Sequence, residues 1–248
     1  MTSLLYDALS LVVSLVAVAF VLTLHEFAHA FVAYKCGDGT PKLYGRLTLD
    51  PMAHFDPLGI ILFAFAGFGW AKPVPIDPHN FRHYRRGLAM TALAGVTVNF
   101  ICALLFYPLY VLGATVDTSI PFLDHVIGEL PRLLYLYSIS FCVFNLIPLA
   151  PLDGWRVVDA AARKRGKVFR FFEKNGPVIL IVLIAVHFCI SLLTSFGGNA
   201  AAVEIIRYFD ILGYVLSLAR YVFGWPIAAL WGLICGWGVP SIPWGAIF

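Results

Sequence analysis

Apolar residues run almost unbroken over residues 5–35, and comparable runs return over 87–113, 130–149, 177–196 and near 205–223. A helix rises about 1.5 Å per residue, so a run near 20 residues covers a hydrocarbon core of roughly 30 Å. The pattern predicts an all-α polytopic membrane protein, a helical bundle of about five to six transmembrane spans. Two stretches depart from it. Residues 42–50 alternate, with Leu43, Gly45, Leu47 and Leu49 on one side and Lys42, Tyr44, Arg46 and Thr48 on the other, after a helix break at Gly37-Asp38-Gly39-Thr40-Pro41. That period of two predicts a short strand at the membrane surface. Residues 57–70 are apolar but too few for a span, and both flanks are basic, so this segment is expected to enter and leave the membrane on one side. Lys72-Pro73-Val74-Pro75-Ile76 reads as an edge strand, because each Pro removes a ladder donor. Together these predict a small membrane-associated β-hairpin and re-entrant segment near residues 40–78.

Composition agrees with the pattern. Of 248 residues 60% are hydrophobic and 12% charged, against a charged share of about 25% in soluble domains. The basic residues then orient the spans. Fourteen of the 17 Lys and Arg fall between Lys35 and Arg86 or between Arg156 and Lys174, and such clusters face the cytoplasm. The segments around Asp117, Asp124 and Glu129, and residues 197–204, are assigned to the outer side. The first span has no Lys or Arg before Lys35 and no cleavage site, so it is read as a retained span with its N-terminus outside. Spans one and three then run in the same direction. The basic stretch 156–174, with Phe169, Phe171 and Phe172 beside Arg170, reads as an interfacial surface helix. A positive net charge in such a chain points to a bilayer, not to nucleic acid. The five cysteines form no CxxC pair and are read as packing residues, as is His187; His79, His83 and His125 are read as surface residues.

Against this apolar background, His25-Glu26-Phe27-Ala28-His29 stands out. A Glu at membrane depth costs about 2.5–3.5 kcal/mol, so it needs a reason to be there. Residues four apart share one face of a helix, so two imidazoles can bind one Zn²⁺ while Glu26 stands beside the open position as general acid/base. Six residues separate His29 from Lys35, which places the metal about 9 Å below the cytoplasmic end of the helix.

Catalytic zinc takes three protein ligands. A third His ten residues after the first is absent, since that position is Lys35; Glu129 and Glu204 lie toward the outside, and Glu173 lies in the basic stretch. Asp153, after Pro148 and Pro151 at the cytoplasmic end of span three, is at the depth of the two histidines. His54 reads equally well as a neighbour of the site and as a turn residue.

The combination of His25-Glu26-Phe27-Ala28-His29 with Asn145-x-x-Pro148-x-x-Pro151-Leu152-Asp153-Gly154 resembles the site-2 protease family of intramembrane zinc metalloproteases. Arg46-Leu-Thr-Leu-Asp50-Pro-Met-Ala-His54-Phe-Asp56-Pro, Gly69-Trp-Ala-Lys-Pro-Val-Pro75 and Ala94-Gly95 followed by Asn99 are similar to its compact bacterial and archaeal branch. The sequence departs from the usual pattern at Val96, where Pro is common, and at Asp50, where Asn is common. The resemblance implies that His25, His29 and Asp153 bind one zinc per chain, that Glu26 is the general acid/base, and that Asn145 helps hold the substrate backbone or the oxyanion. It implies a transmembrane protein as substrate, in a bacterial or archaeal cell membrane, with the active site near the cytoplasmic face. The unwound substrate is expected to add as a strand to the edge formed by 42–50 and 72–76. Residues 1–248 are read as a single integral membrane domain, with a catalytic core at about 5–175 and accessory spans at about 176–248. A prenyl-protein-processing type of protease with a Glu as third ligand, and a zinc-binding scaffold or transporter without proteolytic activity, are the competing readings.

Overall fold

The computed structural model of the chain describes residues 2–66, 69–195 and 210–237. Among these residues are eight α-helices: α1 (Thr2–Cys36), α2 (Thr40–Leu43), α3 (Pro57–Ala66), α4 (Tyr84–Gly113), α5 (Pro121–Leu146), α6 (Asp153–Ala161), α7 (Lys167–Ser195) and α8 (Ile211–Cys235). Helices α1, α4, α5, α7 and α8 are long and apolar enough to cross a membrane. The protein is an all-α polytopic membrane protein.

Local chemistry sets the helix ends. Helix α1 stops at Gly37, whose φ of +116° is open to glycine and strained for other residues. Helix α5 starts with Pro121 in its first turn, where a missing N–H costs nothing, and ends two residues before Pro148. At α8 the Asp210 carboxylate accepts the Gly213 N–H, and Gly236 closes the helix in the left-handed conformation.

Helices α1, α4 and α5 form the inner bundle, and α6 lies against α4. Val13 and Ala17 of α1 pack on Leu133 of α5; Ala103 and Tyr107 of α4 pack on Tyr135 and Ile139 of α5 and on Ile227 and Ala228 of α8. Helix α7 joins through Leu180, which packs with Leu149 and Leu152. The exposed stripe Leu11, Val12, Val16 and Phe20 on α1 is the face left for lipid. Ser10 of α1 and His125 of α5, near the two N-termini, are 2.9 Å apart, while His29 and the residues just beyond α5 meet at the other end. Helices α1 and α5 therefore run in the same direction, as the charge pattern predicts for spans one and three.

The strands do not form. Among the described residues no strand occurs, and the single β-bridge joins Phe55 to Ala71. Residues 42–50 fail as a strand because Pro41 sits in the first turn of α2 and Gly45 then turns at a φ of +67°. The burial does not alternate either: Leu43, on the apolar side, is 86% exposed, while Arg46 on the polar side is buried. Lys72–Ile76 is irregular, with two of its backbone nitrogens lacking hydrogen at Pro73 and Pro75. A sheet edge for strand addition is thus missing among the described residues. The apolar segment folds as α3 and returns beside its start, where the Lys72 N–H donates to the His54 carbonyl at 2.8 Å. Residues 67 and 68 of this segment, residues 196–209, which include the stretch 197–204 expected on the outer side, and the tail 238–248 lie outside the described residues.

Two further boundaries differ from expectation. The basic stretch splits into α6 and the first turns of α7, so Phe169, Phe171 and Phe172 begin a long helix instead of forming a separate one. The last apolar run continues as α8 through the buried Gly224 and through Pro226, as helices at membrane depth tolerate.

Candidate metal centre

Two short features of the sequence bring three ligand atoms together. On α1 the four-residue spacing stacks His25 and His29 on one face, with the imidazole centroids 4.5 Å apart. After α5 the Pro148–Leu152 turn reverses the chain, and Gly154 packs so tightly under the Leu146 and Ile147 carbonyls that any side chain would overlap them. This approach delivers Asp153, the first residue of α6, to the histidines. Leu152 holds the N-cap position, and no side chain caps the helix there.

The Nε2 atoms of His25 and His29 are 3.0 Å apart, and Asp153 Oδ2 lies 3.3 Å from the first and 3.0 Å from the second. Ligands about 2.0–2.1 Å from a tetrahedral zinc are about 3.3 Å from one another, so this triangle has the size of a zinc face. All three residues are buried, at 4%, 3% and 6% exposure. Asp153 Oδ2 has no hydrogen-bond partner, which is the state expected of an atom reserved for a cation. Among the described residues this is the one group of three or more His, Cys, Asp or Glu side chains with such spacing. The other Asp153 oxygen faces Arg156, 3.7 Å away.

Helix α4 supplies the wall behind the metal face, along a stripe the sequence reading used only in part. Thr91, Gly95 and Asn99 are four apart and share one face. The Thr91 carbonyl lies 2.7 Å from Nδ1 of His29, fixing Nδ1 as the donor and freeing Nε2 for metal. The Asn99 carboxamide lies 3.0 Å from Nδ1 of His25. The atom at that distance is Nδ2, and Asn99 Oδ1 is buried without a hydrogen-bond partner; a ring that ligates through Nε2 carries its proton on Nδ1, and turning the carboxamide over would then offer Oδ1 to it. Gly95 provides the space: a Cβ at that position would lie 2.5 Å from both His25 Cε1 and His29 Nε2. The small and polar residues at four-residue spacing inside an apolar helix were the available signal.

Glu26 stands beside the ligands, partly exposed where they are buried. Its Oε2 accepts a hydrogen bond from the Val74 N–H at 3.2 Å. Asn145 is not brought into the group; its amide donates to the Phe141 carbonyl one turn back on α5, at 3.1 Å. His54 is fully buried, bonded through Nε2 to the Thr48 carbonyl at 2.9 Å, and organises the turn ahead of α3. His187 pairs with Asp210 at 2.8 Å, linking α7 to the start of α8. The sequence reading missed Asp38, which is buried just beyond α1; it accepts the Thr40 and Asp77 N–H groups and the Asn80 amide. These bonds, with desolvation opposing them, hold its carboxyl below the usual range.

Comparison with known proteins points the same way. The chain is 39% identical over 183 residues to the "Putative zinc metalloprotease YwhC" of Bacillus subtilis, covering 72% of the chain and 83% of that protein. It is 31% identical over 147 residues to the "Putative zinc metalloprotease Rip2" of Mycobacterium tuberculosis, covering 57% of the chain and 54% of that protein. A Rip2 of Mycolicibacterium smegmatis is 30% identical over 144 residues. The chain spans about half the length of the Rip2 proteins. Neither a protein-family model nor a solved structure matches the chain.

Proposed function

Because the chain belongs to the zinc metalloprotease family that includes YwhC, we propose that it is an intramembrane protease of the site-2 type. In this reading it hydrolyses peptide bonds in or near transmembrane segments of membrane proteins. The observation that carries it is the meeting of His25, His29 and Asp153 inside a bundle of membrane-crossing helices, about 10 Å from the end of α1 that bears the basic residues. A soluble peptide has no need of a site at that depth. The basic clusters on that side support a cytoplasmic-facing site in the cell membrane.

His25 and His29 through Nε2 and Asp153 through Oδ2 would hold one zinc per chain, which when bound activates a water and polarises the scissile carbonyl. Glu26, next to His25 on the helix and open to solvent where the ligands are not, takes the proton of the attacking water. It then returns a proton to the leaving amine. Thr91 and Asn99 hold the imidazoles in the tautomer that leaves Nε2 free. Asn145, at the end of α5, is within one turn of the Pro148–Gly154 reversal, and in this reading it leaves its Phe141 bond to receive the substrate backbone. Asp153 as third ligand argues against the prenyl-processing layout, which needs a Glu there.

The test uses whole protein purified in detergent with a panel of model transmembrane substrates, comparing wild type with Glu26→Gln. Both should bind about one zinc per chain, and only the wild type should cleave. Zinc binding by both with cleavage by neither would leave a metal-binding membrane scaffold as the better reading.

A further inference from the structure

Lys72–Ile76 contains two prolines, so between residues 73 and 75 the backbone offers one N–H, that of Val74. That N–H donates to Glu26 Oε2 at 3.2 Å. We infer that Val74 is a positioning residue for the reaction, its N–H fixing the Glu26 carboxylate in the orientation from which it takes a proton. The inference rests on the catalytic role of Glu26 proposed above.

Three observations carry it. The segment is pinned on both sides of Val74: Lys72 N–H donates to the His54 carbonyl at 2.8 Å, and Asp77 N–H donates to Asp38 Oδ2 at 2.8 Å. Val74 is itself buried, at 5% exposure, so the donor is shielded although Glu26 is partly exposed. The flanking prolines fix φ at both neighbours and remove the competing donors, which leaves the carboxylate a single backbone partner in this run. A carboxylate on a flexible two-carbon stem otherwise samples several rotamers. A charge-assisted bond from a rigid backbone selects one of them and leaves Oε1 free.

The prolines also make the bond directly measurable. Hydrogen exchange of a peptide spanning residues 73–75 reports the Val74 amide alone, because neither proline carries an amide hydrogen. In whole protein in detergent this amide should exchange slowly, and Glu26→Ala should speed its exchange about tenfold or more. Equal exchange in wild type and Glu26→Ala overturns the contact, whatever the protein's activity. For the role, Val74 is replaced by its α-hydroxy acid, which exchanges the N–H for an oxygen and keeps the shape. The ester should lower kcat about tenfold with KM and zinc content unchanged, whereas Val74→Ala, which keeps the N–H, should hold kcat near wild type. An ester with unchanged kcat overturns the positioning role, and one with raised kcat identifies the segment as a plug on Glu26. Absence of cleavage by wild type, with Glu26-dependent protection intact, would count against the protease reading and leave the contact standing.

Discussion

Gly95 of α4 faces the imidazole of His29 across the helix contact so closely that a Cβ on it would lie 2.5 Å from Nε2. The atom it would strike is a proposed metal ligand. Gly95→Ala should therefore displace both imidazoles while α1 and α4 stay packed elsewhere. We expect zinc affinity to fall by about 10-fold or more, with an overpacking cost of about 1–3 kcal/mol. Metal content per chain and thermal unfolding, measured on the same preparation, check this; full zinc content in Gly95→Ala would mean that the imidazoles do not need this space.

Asn99 should matter for metal binding without touching the metal. Its carboxamide lies 3.0 Å from Nδ1 of His25 and fixes the ring. Partners of this kind are worth about 10–100-fold in metal affinity. Competition with a chelator should show a loss of that size in Asn99→Ala. Asn99→Asp, which keeps an acceptor oxygen, should recover most of it. Equal affinity in all three proteins would reduce Asn99 to a packing residue.

Much of this arrangement is legible in the chain because the membrane magnifies two signals. A charged motif inside an apolar run is conspicuous, and the positive-inside pattern gives His29 and Asp153 the same depth before any contact is known. The His25 and His29 spacing and the parallel course of α1 and α5 follow from those signals. The surface segment does not, because alternation over 42–50 is too short to outweigh Pro41 and Gly45, each of which sets local backbone angles by itself. Asp38 and Val74 escape notice for another reason. Their partners, Asp77 and Glu26, are 39 and 48 residues away, and a hydrogen bond to a backbone N–H leaves no residue-type signature at the donor.

Asp38 gives the junction after α1 a pH dependence of known sign. Its folded-state pKa is depressed, so the stability it contributes is complete above the unfolded value of about 3.9 and is lost as pH falls through the lower folded value. The Asp77 amide proton, bonded to Asp38 Oδ2, reports this ionisation in an NMR titration of the detergent-solubilised protein. Its midpoint should fall below the ordinary carboxylate value of about 3.9. In Asp38→Asn the low-pH movement should vanish. A midpoint at or above the ordinary carboxylate value would show that the bonds from Thr40, Asp77 and Asn80 do not hold the ionised form.

Gly154 separates the shape of the third-ligand turn from its chemistry. Any side chain there overlaps the Leu146 and Ile147 carbonyls, which are backbone atoms at the end of α5 and cannot swing aside. Gly154→Ala must therefore move α6 away from α5 and carry Asp153 with it, although all three ligands are still encoded. Asp153→Ala removes the ligand and leaves the turn unchanged. Both variants should lose zinc, but only Gly154→Ala should also lose stability in the metal-free protein, by about 1–3 kcal/mol. Thermal unfolding of the metal-free forms beside metal content of the loaded forms distinguishes the two. If Gly154→Ala keeps zinc and stability, the close approach of α6 to the end of α5 is not what delivers Asp153 to the histidines.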